Sequence, residues 1–137
     1  MADLLATADL GYVSLSPHPA SAITMPSKTQ SILASGKGVI ASAEGDLTDL
    51  ITSNRVGFTA AADAQSISTA LRHALSMSRE DLRELGNRAG RLYTEQFSVR
   101  RMGQQIEELL ASLPPRGKAS LKRRRGRADP TPEGSDD

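Results

Sequence analysis

Two rhythms alternate along the 137 residues of this chain. Three short and nearly unbroken apolar runs, LGYVSL at 10–15, GVIAS at 38–42 and VGFTA at 56–60, carry no charge. Their length and their Val, Ile, Phe and Tyr content predict buried strands. Between and after them the apolar positions recur every three or four residues, which predicts helices. ADLLATA reads as the end of a helix, and residues 16–25, SPHPASAITM, read as a loop because prolines and small residues interrupt both patterns. Pro26 then falls where a first helical turn tolerates proline, and SKTQSILAS runs to a natural stop at Gly36. GDLTDLITSN forms a short helix ending near Asn54.

From residue 61 to residue 113 the pattern is helical throughout. Asp63 is a plausible N-cap for a helix whose stripe is Ile67, Ala70, Leu71, Ala74 and Leu75. Ser78 and Asp81 have the spacing of a capping box ahead of Leu82, Leu85, Ala89 and Leu92. Ser98 caps a last helix with Met102, Ile106, Leu109 and Leu110 lined up for burial. These stripes read as core and not as a cofactor box. Three strands alternating with helices predict a parallel α/β unit covered on both faces. A doubly wound sheet normally has five or six strands, so the expectation is the C-terminal part of something larger.

Composition narrows the chemistry. Only 3% of residues are aromatic, so the core must be aliphatic. The absence of Cys excludes disulfides, thiolate catalysis and Cys-ligated zinc, and two His residues without metal-site spacing make a metal centre unexpected. No apolar run approaches the ~20 residues that span a bilayer, and the acidic N-terminus does not read as a signal peptide. The chain therefore reads as cytoplasmic.

The net charge of +1 conceals an asymmetry. Residues 1–113 hold 10 Lys and Arg against 12 Asp and Glu, whereas residues 114–137 hold 7 against 4. Beyond Pro114 the only large apolar side chain is Leu121, too little to offset ordering entropy. Residues 114–137 are expected to be a disordered charged tail. Its basic core, Lys122–Arg127, offers nonspecific charge to nucleic acid or anionic lipid, but the ordinary role of such a block is solvation.

The ordered series ADLGYVSLSP, MPSKTQSILASGKGVIAS and GDLTDLITSNRVGFTAAADAQSISTALRHAL, followed by Tyr93, Phe97 and Ser98, resembles a known family. It looks like the C-terminal end of a nucleotide-sugar-dependent retaining glycosyltransferase of the glycogen-synthase-like, two-Rossmann-domain class. The similarity covers roughly residues 3 to 112, so residues 1–113 would be a partial Rossmann-like nucleotide-sugar-binding domain truncated at its N-terminus. Its sheet would be short, about three parallel strands, with a helical C-terminal end.

In that family the "PSK" helix start faces the donor diphosphate. The resemblance therefore places Ser27 and Lys28 at the phosphate end, with Thr29 just behind. Ser31 takes the position one turn further in, where many relatives contact the nucleotide ribose, and Gln30 is a neighbouring candidate for the same contact. A dianion suits such a helix start because unpaired N–H groups and the positive end of the helix dipole meet there. Two departures stand out. A glutamate that contacts the donor sugar in many relatives would fall near Ile23, and no acid lies in residues 10–43. Gly38 replaces a usual proline, which loosens the turn into the second strand.

Each of these groups also has a purely structural reading. Ser27 and Lys28 equally suit an ordinary helix start. His18 reads as a loop histidine, and Asp46 and Asp49 complement a helix dipole. Ser14, Ser16, Ser21 and Ser42 lack the His and Asp neighbours that make a nucleophile.

The leading expectation is thus a glycosyltransferase fragment, inactive by itself, whose whole form moves a sugar from a nucleotide diphosphate to a hydroxyl, often in envelope polysaccharide or glycolipid synthesis. No catalytic residue, metal or cofactor is assigned. The expected partners are the nucleotide-sugar donor and either a separately encoded N-terminal half or a second copy, with peripheral membrane association of the full-length enzyme also open. The alternative is a non-catalytic α/β module that docks onto a partner chain. A nucleic-acid binder is disfavoured because residues 1–113 are net acidic.

Overall fold

The computed structural model describes residues 2–114. In chain order the elements are α1 (Ala2–Thr7), β1 (Leu10–Ser14), α2 (Pro19–Ala22), α3 (Ser27–Ala34), β2 (Gly38–Ser42), α4 (Asp46–Asn54) and β3 (Gly57–Ala60). Helices α5 (Ala64–Leu75) and α6 (Arg79–Leu92), a π-helical turn (Tyr93–Phe97) and α7 (Val99–Ser112) complete it. The strands form one parallel sheet in the order β1-β2-β3, with Leu10 opposite Gly38 and Val39 opposite Gly57. This is a partial Rossmann-like α/β arrangement, and each expected strand is present within one residue of its expected bounds. The one-turn helix α2 interrupts the stretch expected to be loop. The tail expectation falls, from residue 115 onward, outside the described residues.

Helix punctuation follows the sequence signals. Asp63 caps α5 by accepting from the Ser66 N–H at 2.8 Å, Ser98 caps α7, and Ser78 with Asp81 closes a reciprocal capping box on α6. Gly36, at φ +63°, terminates α3 in a left-handed conformation that glycine adopts without strain.

Alternation along the strands divides the side chains between two layers. Val13, Val39 and Ala41 face one side and pack with Ile32 and Leu33 of α3, Leu47 and Ile51 of α4, and Ala89 and Leu92 of α6. The buried side chains of this cluster are all aliphatic, and the half-buried Tyr93 and Phe97 pack against them. Ile40 faces the other side, with Ala70 and Ala74 of α5 and the half-buried Leu10, Phe58 and Ala60. The first cluster has ten buried residues against three in the second, so it holds the larger share of the apolar burial.

Three expectations about packing need correction. Leu71 and Leu75 are 43% and 86% exposed, so the outer half of the α5 stripe is not core. In α7 no residue is buried: Met102, Ile106, Leu109 and Leu110 are all at least half exposed. Periodicity shows that a helix has an apolar face, not that anything covers it. Nor does Gly38 loosen a turn. It is the buried first residue of β2, and a Cβ there would lie 1.6 Å from Cδ2 of Leu85. Any side chain there would have to displace Leu85 and Leu10 from their packing.

Candidate functional site

Parallel strands alternating with helices bring the N-termini of α3, α4 and α5 to one end of the sheet, beyond the carboxyl ends of the strands. Open α/β sheets place their ligands at that end. The three helix starts differ in charge. Helix α4 has Asp46 and Asp49 in its first turn, and α5 has the Asp63 cap, so both positive dipole ends meet carboxylates of their own. Helix α3 has no acid in its first turn and no side-chain cap.

Pro26 holds the N-cap position of α3 in an extended conformation (φ −63°, ψ 136°) and has no side-chain oxygen to offer. The Thr29 N–H turns back to the Pro26 carbonyl at 2.9 Å. The N–H groups of Ser27 and Lys28, at the first two helical positions, have no intrahelical acceptor available by geometry. Both side chains are exposed. The ion pairs among the described residues, Arg83 with Glu80 and Arg88 with Glu84, lie on α6 and leave Lys28 without a carboxylate partner there.

The other sequence candidates separate. Ser31 is exposed, and its hydroxyl donates to the Ser27 carbonyl at 3.2 Å, leaving its lone pairs to accept from a ligand. Gln30 is half-buried on the adjoining side. Thr29 departs from expectation. Its side chain is fully buried, so it lies inside the protein and cannot meet a diphosphate directly. Its Oγ1 has no hydrogen-bond partner among the described residues. Four of the five residues therefore share the rim of the α3 start, and the fifth belongs to the core beneath it.

At the same end of the sheet, the loop after β1 and the loop after β2 meet around a cleft of about 20 Å³, roughly the room of one water molecule. Leu15, His18, Ser21, Ala22, Ala43 and Glu44 line it. His18 is bound to local structure: its Nδ1 accepts from the Ala20 N–H at 3.1 Å and caps α2. Ile23, the position at which the family resemblance would put a glutamate, is 76% exposed at the end of α2. Glu44, in the loop after β2, brings a carboxylate to the wall of this cleft.

Gly45 joins the two loops. It has φ +74° and ψ −142°, and any Cβ there would fall 2.1 Å from the Ala22 carbonyl oxygen. The sequence reading passed over it; a glycine directly before a helix start was the available signal. Ser42, fully buried at the end of β2, donates to the Ala61 carbonyl at 3.2 Å and ties the next loop to the sheet.

The cap of α5, Asp63, is electrostatically favoured in its ionised form. A hydrogen bond from the Ser66 side chain, then the Ser66 backbone N–H, hold its carboxyl below the usual carboxylate range. Among the described residues no cluster of three or more His, Asp or Glu side chains is placed to hold a metal ion. Among the same residues no helix is long and apolar enough to cross a membrane. No protein-family model, curated protein or solved structure matches the chain.

Proposed function

We propose that this chain is the C-terminal, donor-binding part of a nucleotide-sugar-dependent retaining glycosyltransferase, in which the start of α3 receives the donor diphosphate. The observation that carries the reading is the contrast between helix starts: α3 alone of the three has no carboxylate at its start, and presents Lys28 instead. Exposed Ser27 and the first-turn N–H groups add donors for phosphate oxygens. Ser31, one turn along, has lone pairs free for a ribose hydroxyl, and Gln30 borders it. The rim is open, and the cleft between the loops after β1 and β2 is too small for a nucleotide. Sugar transfer therefore needs a second wall to orient the acceptor, and the chain by itself binds without turnover.

Calorimetric titration of UDP, ADP and GDP into the 137-residue protein and its Lys28→Ala variant tests the reading. Loss of one charge-assisted contact, about 1.5–3 kcal/mol, weakens affinity roughly ten- to hundredfold at unchanged melting temperature. Equal affinities, or no binding of any of the three, would reduce the stretch to an ordinary helix start. A second reading, a module that docks onto a partner chain, is favoured by the uncovered stripe of α7.

A further inference from the structure

The two faces of the sheet are covered unequally. Helices α3, α4 and α6 close one face, whereas α5 alone crosses the other. Beside α5, above β1, lies an apolar groove of about 400 Å³ lined chiefly by Leu10, Tyr12, Ile40, Leu71, Ala74 and Leu75. Tyr12 is 42% exposed on its floor, and Leu71 and Leu75 form its wall. Parallel sheets are stable when helices cover both faces, and neighbouring helices pack 8–10 Å apart. The groove leaves that part of the face open to a further helix.

The same chain carries a helix with nothing to pack on. Along α7, Val99, Met102, Ile106 and Leu109 recur at intervals of three, four and three residues, and Leu113 continues the series just past its end. This is the spacing of a helix seam that meets another surface. Their exposures are 81%, 54%, 50%, 61% and 56%.

We propose that α7 of one copy seats in the groove beside α5 of a second copy, so that the chain self-associates through these two surfaces. Several features select this occupant. Residues 115–137 contain one large apolar side chain, Leu121, and so offer no apolar stripe to match either surface. Among the described helices, α7 is the one whose entire apolar stripe lies open. Residues 1–113 are nearly balanced in charge, 10 basic against 12 acidic, so two copies approach without strong repulsion. The rim of the groove carries Asp9 and Arg79, and the polar side of α7 carries Arg100, Arg101, Glu107 and Glu108, so both signs are available on each surface. The proposal rests on these surfaces and not on the transferase reading, which the nucleotide titration tests separately.

Sedimentation equilibrium of the full chain across the micromolar range reads the association directly. Ile106→Glu on α7 and Leu75→Glu on the groove wall each place a charge in the contact and weaken association by about thirtyfold or more. Both positions are at least half exposed in the single chain, so the melting temperature of dilute protein stays unchanged. The chain has no Cys, so single-cysteine variants report the pairing cleanly. With a short bismaleimide, a mixture of Tyr12→Cys and Ile106→Cys chains crosslinks more than either variant alone. A monomer at every concentration overturns the proposal, as does association that survives Ile106→Glu. Crosslinking confined to pairs of Tyr12→Cys chains also overturns it, because the β1 edges would then pair with each other.

Discussion

A Cβ at position 45 would lie 2.1 Å from the carbonyl oxygen of Ala22, so the loop into α4 and the end of α2 meet only because residue 45 is glycine. Side-chain rotation cannot relieve a clash with backbone, and φ +74° adds strain for any L side chain. Gly45→Ala is therefore expected to destabilise the fold by about 1–3 kcal/mol or more. Urea denaturation of the variant checks this. A loss below about 0.5 kcal/mol, the scale of an indifferent surface change, would show that the two loops separate freely.

The buried hydroxyl of Thr29 gives a prediction of opposite sign. An unpartnered buried polar atom costs about 1–3 kcal/mol, and valine has nearly the same shape without the hydroxyl. Thr29→Val is expected to raise the urea midpoint without changing the slope. A lower midpoint would mean that the hydroxyl has a partner in solution, an ordered water for example.

The unequal covering of the helices predicts unequal mutational sensitivity. Leu33 is 0% exposed in the main core, so Leu33→Ala should cost about 2–5 kcal/mol. Leu109 is 61% exposed, so Leu109→Ala should stay within about 0.5 kcal/mol in dilute, monomeric protein. Comparable losses at the two sites would mean that α7 is packed down in the single chain.

The Asp63 cap makes stability pH-dependent in a defined direction. Its carboxyl is held low by the Ser66 side chain and N–H, so the folded state favours the ionised form. Its contribution is fully present above the ordinary carboxylate range and disappears as pH falls through the lowered value. Asparagine caps a helix about as well and does not titrate in this range. Wild type should therefore lose stability relative to Asp63→Asn when urea midpoints are followed from about pH 5 down to pH 2. A difference independent of pH would remove Asp63 from the acid response.

Secondary structure was largely settled by local physics. A strand such as Gly38–Ser42 is a short uncharged apolar run, and the breaks at Gly36, Asp63, Ser78 and Ser98 depend on backbone geometry that a few neighbouring residues fix. Parallel pairing followed from the alternation of strand and helix. The exposed rim of Ser27, Lys28 and Ser31 was legible for the same reason, since a helix start sits at its own residues wherever the helix lies. Long-range contacts were not legible. Only the folded chain shows that Thr29 points inward with an unpaired hydroxyl, that Gly38 yields space to Leu85, and that Gly45 touches Ala22. Amphipathic spacing in α5 and α7 was read correctly as an apolar face, but burial depends on a second surface reaching it. That is decided by how the elements pack in three dimensions, and here the packing leaves Leu75 and Leu109 facing outward.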